Sequence, residues 1–210
     1  MMTPELKSSI VRLATESNVK YKNLNIRRLI SNMDKNFREI TKTYNDLSDI
    51  ASREDDLILG ISWILDNYYK IEEEYSKLKV SSTKKDKLIL GILTNTIFKG
   101  YPQIYHIATD LIENTKGNFD ENTIIDTLKT YQNIKVLSIA EIWIFSTMLI
   151  FAIMDKINEV STEILKAQEN KLKVTSMHSE DPETVLNNLK KEFEYNPTLS
   201  PIYIEALYKN

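Results

Sequence analysis

Three groups of residues could carry chemistry, and their spacing decides what each can do. Glu72-Glu73-Glu74 offers three carboxylates of the kind that perform general acid and base work. Successive helical residues point about 100° apart, so the three cannot converge on one bond. They read as a solvated helix face. His106 and Asp110 stand at the i,i+4 spacing that can hold a metal, but the second histidine is His178. With no third ligand at a diagnostic distance, the pair reads as a surface or capping pair, and no metal site is expected. The chain contains no cysteine, which removes disulfides, thiolate metal sites and cysteine nucleophiles together. Neither a Gly-x-Ser-x-Gly elbow nor a glycine-rich phosphate loop is present, so no catalytic residue and no cofactor is expected.

The third group is aromatic and polar. Trp63-Ile64-Leu65-Asp66-Asn67-Tyr68-Tyr69-Lys70-Ile71-Glu72 has helical periodicity, with Trp63, Asn67 and Ile71 on one face and Ile64, Tyr68 and Glu72 on the next. A core-facing polar side chain in a helix must bond to another element, because the helix interior has no spare donors. Asp66 or Asn67 is therefore expected to tie its helix to a neighbouring turn, near Gly100-Tyr101-Pro102 or Ser138. Trp63 and Trp143 are expected to be largely buried beside that junction. Tyr68, Tyr69, Tyr75, Tyr101 and Tyr105 cluster in sequence around this stretch and the Gly100 turn. Aromatic rings with polar tips can stack on sugars, and they also serve as half-buried helix packing, which is the commoner use.

These residues must be held by an all-α framework. Only four glycines and five prolines punctuate 210 residues, too few for a hairpin-rich fold. Length favours a single domain with an ample core. The 27 basic and 30 acidic side chains leave a net charge of −3, which argues against nucleic-acid binding through bulk charge. Met1 to Lys7 has no apolar core and is not a signal peptide. From Ile139 to Met154 the chain is apolar except for Glu141, Ser146 and Thr147. Its uninterrupted part falls short of the ~20 residues of a membrane span and reads as a core helix. A cytoplasmic location is expected, with contact to the membrane only indirect.

Helix boundaries follow from capping residues. Thr3-Pro4-Glu5 opens a helix to about Thr15, and a second runs from about Asn23 to Ile50. Ser52-Arg53-Glu54-Asp55 resembles a capping box for a third, which carries the Trp63 motif to about Leu78. Val80 to Lys87 is a polar connector, and Leu88 to Phe98 reads as a short helix. A helix from Pro102 ends near Asn114 and Gly117, and another follows the cap Asp120. Ser138-Ile139-Ala140-Glu141 is a full capping box for the longest helix, to about Leu172, whose amphipathic second half from Asp155 is expected to project from the core. Helices from Ser179 and Ser200 complete the chain. The expected organisation is one helical domain over 1–210, with N-terminal helices over 1–50, a motif-bearing core over 51–175 and a C-terminal segment over 176–210.

The Trp63 stretch resembles the Trp-Leu-Leu-Asp-Asn-Phe/Tyr-Tyr motif near the N-terminus of bacterial cyclic β-1,2-glucan synthases and their cellobiose-phosphorylase-like relatives. Gly100-Tyr101-Pro102-Gln103-Ile104-Tyr105 is similar to the family's Gly-Tyr-Pro-Arg-Val-Tyr. Thr115-Lys116-Gly117-Asn118-Phe119-Asp120, Tyr131-Gln132 and Leu137-Ser138-Ile139-Ala140-Glu141-Ile142-Trp143 continue the likeness in order. Leu199-Ser200-Pro201-Ile202-Tyr203-Ile204 closes it, so that it covers roughly residues 50 to 207. The chain departs at Ser62 for Glu, Gln103 for Arg, Asn114 for His, Ala140 for Gly and Ile150 for Arg. These lost charges mark a divergent member.

In that family the helical region precedes a membrane-embedded glycosyltransferase and a phosphorylase-like domain, so the catalytic parts are expected to lie outside this chain. The resemblance implies a non-catalytic helical scaffold whose partners are other domains or subunits of a glucan-synthesising or phosphorylase enzyme. Two alternatives are a glucan-binding module, with Tyr69, Tyr75 and Tyr101 as carbohydrate contacts, and a stand-alone interaction or regulatory protein. The residues expected to carry the motif's structural role are Trp63, Asp66, Asn67, Tyr68, Glu72, Gly100, Pro102, Tyr105, Glu141 and Trp143.

Overall fold

A computed structural model of the protein describes residues 2–58, 60–81 and 87–177. The described residues form six helices and one two-stranded sheet, in the order α1 (Pro4–Glu16), β1 (Val19–Asn25), α2 (Ile26–Ala51), α3 (Ile61–Ser81), β2 (Lys87–Leu93), α4 (Gln103–Thr115), α5 (Glu121–Gln132) and α6 (Ile139–Met177). The mainly helical class is as expected. The expected helices from Ser179 and Ser200, with the closing Leu199–Ile204 motif, lie outside the described residues, as does most of the polar connector.

Several helix ends are made by the residues that announced them. Thr3 Oγ1 accepts from Leu6 N at 3.2 Å, with Pro4 in the first helical turn. Asp120 Oδ1 accepts from Thr123 N at 2.7 Å. Ser138 and Glu141 cap each other reciprocally, Glu141 N donating to Ser138 Oγ at 3.2 Å and Ser138 N to Glu141 Oε2 at 2.8 Å. The capping-box reading of Ser52 is corrected. Ser52 N bonds back to Ser48 O and Ser52 Oγ to Asp49 O, while Arg53 N and Glu54 N both reach Ile50 O. The segment therefore closes α2, and α3 starts only at Ile61, after Gly60 at φ 105°.

The helix expected over Leu88–Phe98 is also corrected, because its first part is β2. A continuous apolar run of this length cannot be told from a buried helix by periodicity. Two features tip it: Ile89 and Ile92 are β-branched, and Gly91 weakens a helix interior. β2 then pairs antiparallel with β1, from Val19 opposite Leu93 to Asn25 opposite Lys87. That pairing delays the start of α2 from Asn23 to Ile26. The outer edge of β2 is covered by the following turn, where Leu93 N donates to Tyr101 O and Gly100 N to Leu93 O, each at 2.9 Å.

The chain divides into two compact units, Met1–Arg38 with Ile71–Ile157, and Glu39–Lys70 with Asn158 onward. Helices α2, α3 and α6 each contribute residues to both units. In the first unit α1 packs on α4 and α5 through Leu6, Ile10, Leu13 and Ala14. Ile104, Ile107, Ala108, Leu111 and Tyr131 complete that core. In the second, Leu47, Ile61 and Ile64 are buried with Leu57, Ile58, Leu65, Ile164 and Leu165 around them. The second half of α6 therefore does not project free. Its Gln168 is fully buried, accepting from Ile58 N at 2.9 Å and donating to Asp56 O at 3.2 Å.

Gly91 shows how tightly the sheet is held. A Cβ there would stand 2.5 Å from Val19 Cγ1, 2.6 Å from Gln103 Nε2 and 2.9 Å from Glu141 Oε1. Gly91→Ala should therefore destabilise the protein by about 1–3 kcal/mol, as overpacking of a close-packed interior does. Urea titration followed by far-UV circular dichroism measures it, and an unchanged midpoint would show that the contact relaxes freely.

Candidate functional site

The motif residues of the first unit meet in one buried hydrogen-bond network. Glu141 has no exposed surface. Its Oε1 accepts from Gly91 N at 3.0 Å and from Gln103 Nε2 at 2.7 Å, while Oε2 accepts from Ser138 N. Gln103, also without exposed surface, accepts from the Tyr131 hydroxyl at 2.7 Å through Oε1. Burial, with Glu141 nearby, pushes the Tyr131 hydroxyl up to about 12, which keeps it a donor at neutral pH. The chain of donors thus runs from Tyr131 to Gln103 to Glu141 and joins α5, α4, α6 and β2. Every polar atom named here is used in holding elements together.

Gly100 and Pro102 set the geometry of this junction. Gly100 turns the chain at φ 94°, and Pro102 is buried as the N-cap of α4, with its carbonyl accepting from Tyr105 N at 3.0 Å. Tyr105 is buried and donates its hydroxyl to Asp155, which Asn36 also contacts. Burial raises the Asp155 carboxyl above the usual range, and the two hydrogen bonds oppose that shift. The Tyr101 ring lies 5.2 Å from that of Tyr105 and keeps a partly exposed face.

Beside the network, α1, α4 and the turn after β2 enclose a cleft of about 100 Å³ lined by Ser9, Arg12, Leu13, Glu16, Ser17, Thr96, His106 and Asp110. Ser9 Oγ donates to Asp110 Oδ2 at 2.6 Å. His106 packs 4.1 Å from the Phe98 ring, and its Nδ1 is buried with no hydrogen-bond partner among the described residues. Burial lowers its affinity for a proton and Asp110 partly opposes that shift. Asp110 is thus held by Ser9 from a neighbouring helix. Among the described residues no group of three or more His, Asp or Glu could hold a metal ion. No helix among them is long and apolar enough to cross a membrane.

The remaining motif residues do not join this network, and two expectations are corrected. Trp63 is 58% exposed and Trp143 is 82% exposed, so neither is a buried junction residue. The physical reason is rotation about the helix. On α3, Ile64 and Ile71 face the interior and Trp63 points away. On α6, Glu141, Ile144 and Phe145 face inward and Trp143 points away. The expected tie from Asp66 or Asn67 to a neighbouring turn is likewise not made. Asp66 is exposed, while Asn67 Nδ2 donates to Trp63 O at 2.8 Å within its own helix and its Oδ1 accepts from Lys70 Nζ.

Tyr68 stacks on Tyr44 at 4.0 Å and shares a 2.8 Å hydrogen bond with Thr41, so it packs α3 on α2 in the second unit. In the first unit Tyr75 does the same, with Phe37 against its ring at 3.9 Å and Asp34 accepting from its hydroxyl at 2.7 Å. That leaves Tyr69 and Tyr101 as the exposed rings among the three expected carbohydrate contacts, with Lys70 Nζ 5.7 Å from the Tyr69 ring centre and Tyr105 stacked on one face of Tyr101. Glu72 is exposed, which fits a solvated helix face and not the structural role also expected of it. Gln103 and Gly91 were not singled out as site residues by sequence. An isolated glycine inside an apolar run is the signal for a close backbone approach, and here the approaching groups are Glu141 and Gln103.

Comparison with protein-family models, curated proteins and solved structures gives no match.

Two measurements probe the site. Glu141→Ala leaves the Gly91, Gln103 and Ser138 donors unpaired, at about 1–3 kcal/mol each when buried. Its total cost should reach about 3 kcal/mol, against about 1 kcal/mol for Ser138→Ala, which removes only a cap. Equal losses in urea titration would reduce Glu141 to a capping residue. The second is pH dependence. His106 binds its proton less readily folded than unfolded, so its contribution is complete above its ordinary value of 6.5 and is lost as pH falls below that. The denaturation midpoint of His106→Asn, measured from pH 7.5 to 5.5, should fall less than that of the parent chain.

Proposed function

We propose that the chain is a non-catalytic helical accessory domain of a cyclic β-1,2-glucan synthase-like enzyme. Its role is to position other domains or subunits of that enzyme, at the cytoplasmic side of the membrane. The observation that carries this reading is the use made of the matching motifs. Gln103, Tyr131, Ser138 and Glu141 come from three separate matching segments, yet their polar groups are consumed in one largely buried network. Residues spent in this way secure a shape, which is what a positioning domain requires. Gln103 stands where the resembling motif has Arg, and as an amide it both donates to Glu141 and accepts from Tyr131, which an Arg cannot do.

A glucan-binding module is the second reading, and the exposure of the Tyr69 and Tyr101 side chains is the observation in its favour. Calorimetry with β-1,2-gluco-oligosaccharides separates the two. The positioning role predicts no binding heat, no UDP release from UDP-glucose and no glucose 1-phosphate from glucan with phosphate. Saturable heat that disappears in Tyr101→Ala or Tyr69→Ala would replace it with the binding module, and turnover of either substrate would overturn both.

A further inference from the structure

Helix α6 is apolar on its inward face, as a core helix must be, and also on the face it turns to solvent. From Ile139 to Met154 its one charged residue is Glu141, which points inward to Gly91 and Gln103. Ile139, Ile142, Ser146, Leu149 and Ile153 recur at spacings of three and four and form one stripe, which Trp143 and Ile150 widen. Ile139 is 74% and Trp143 82% exposed, Ile142 and Ser146 are exposed, and Leu149, Ile150 and Ile153 are half-buried. Val136, 73% exposed, extends the patch just before the helix. Together they offer on the order of 700 Å² of largely apolar surface, more than the usual largest patch of a monomer and close to the ~800 Å² each partner contributes to a standard interface.

We infer that this stripe is the contact of a homodimer in which α6 packs antiparallel on α6 of a second copy, across a two-fold axis at Ser146. A two-fold interface has to be self-complementary: if residue i meets residue j, then j meets i. The stripe meets that condition about its midpoint. Reversal about Ser146 sets Ile139 against Ile153, Ile142 against Ile150 and Trp143 against Leu149, apolar on apolar at each level. The residue that meets itself is the smallest of the stripe, and a small residue at the crossing lets two helix backbones approach. With no charge on the exposed face, two identical copies meet without like-charge repulsion. A sugar ligand fits less well, because the stripe holds no carboxylate, amide or guanidinium to bond its hydroxyls. Trp143, the largest and most exposed member, would be the dominant contact.

Light scattering coupled to gel filtration of the full chain at micromolar concentration tests this. The expected mass is twice the 24.4 kDa of one chain. Ile142→Lys and Trp143→Glu should each return a monomer with an unchanged circular dichroism spectrum, while Trp63→Glu, on the exposed face of α3, should remain dimeric. Because the chain has no cysteine, Ser146→Cys supplies a geometric test that does not depend on destabilising the contact. Under copper-phenanthroline oxidation Ser146→Cys should convert most of the protein to a covalent dimer, and Ser8→Cys, on exposed α1, should convert little. A monomeric parent chain would overturn the inference. So would a dimer that survives Ile142→Lys and Trp143→Glu, or one in which Ser8→Cys crosslinks as readily as Ser146→Cys.

Discussion

A single buried carboxyl group organises the first unit. Glu141 begins as half of a capping box, a local device that any helix start can use, and its Oε2 stays with Ser138 N. Its other oxygen takes on two partners from distant parts of the chain, the backbone of β2 at Gly91 and the side chain of Gln103 at the head of α4. A carboxyl group without exposed surface is costly unless its lone pairs are met by donors, and three N–H groups meet them here. The requirement runs outward from there. Gly91 must lack a side chain so that β2 can lie against Glu141, Gln103 must be an amide, and Tyr131 must lie where its hydroxyl can finish the amide oxygen. Removing any one member strands the others, which couples the cap, the sheet edge and two helices into one cooperative element.

The aromatic residues divide according to which side of their helix they occupy. Tyr68 and Tyr75 fall on half-buried faces of α3 and are used for stacking and hydrogen bonding to α2. Trp63 and Trp143 sit one position before buried residues, Ile64 and Ile144, and a turn of about 100° carries them into solvent. An exposed tryptophan is not explained by packing within its own unit. That is the reason Trp143 draws attention to the solvent face of α6, where its neighbours are also apolar. The buried Glu141 and the exposed Trp143 are two residues apart and lie on opposite sides of the same helix, one inward to the sheet and one outward to solvent.

The helical class, the placement of α1, α4 and α5, and the start of α6 were legible in the residues. Each rests on local chemistry: Thr3 with Pro4, Asp120, and Ser138 with Glu141 act within four residues of themselves. The residues are ambiguous where a local signal has two outcomes. Ser52 can cap forward or bond backward, and here it bonds backward into α2, while α3 starts only at Ile61. Leu88 to Leu93 can be a strand or a buried helix, and the presence of β1 as a pairing partner settles it.

By itself the sequence determined where most helices begin, that the chain is mainly helical, and that its charge is balanced, because capping, periodicity and composition are local or additive properties. Tertiary structure alone decided that Glu141 serves β2 and α4 as well as its own cap, that Gln103 is its partner, and that Trp63 and Trp143 face outward. Those outcomes depend on which residues distant in sequence come within hydrogen-bond reach, and on the rotation of each helix about its axis. A helix that is apolar all round does not reveal which face turns inward. Only the packing of α6 against its neighbours breaks that degeneracy.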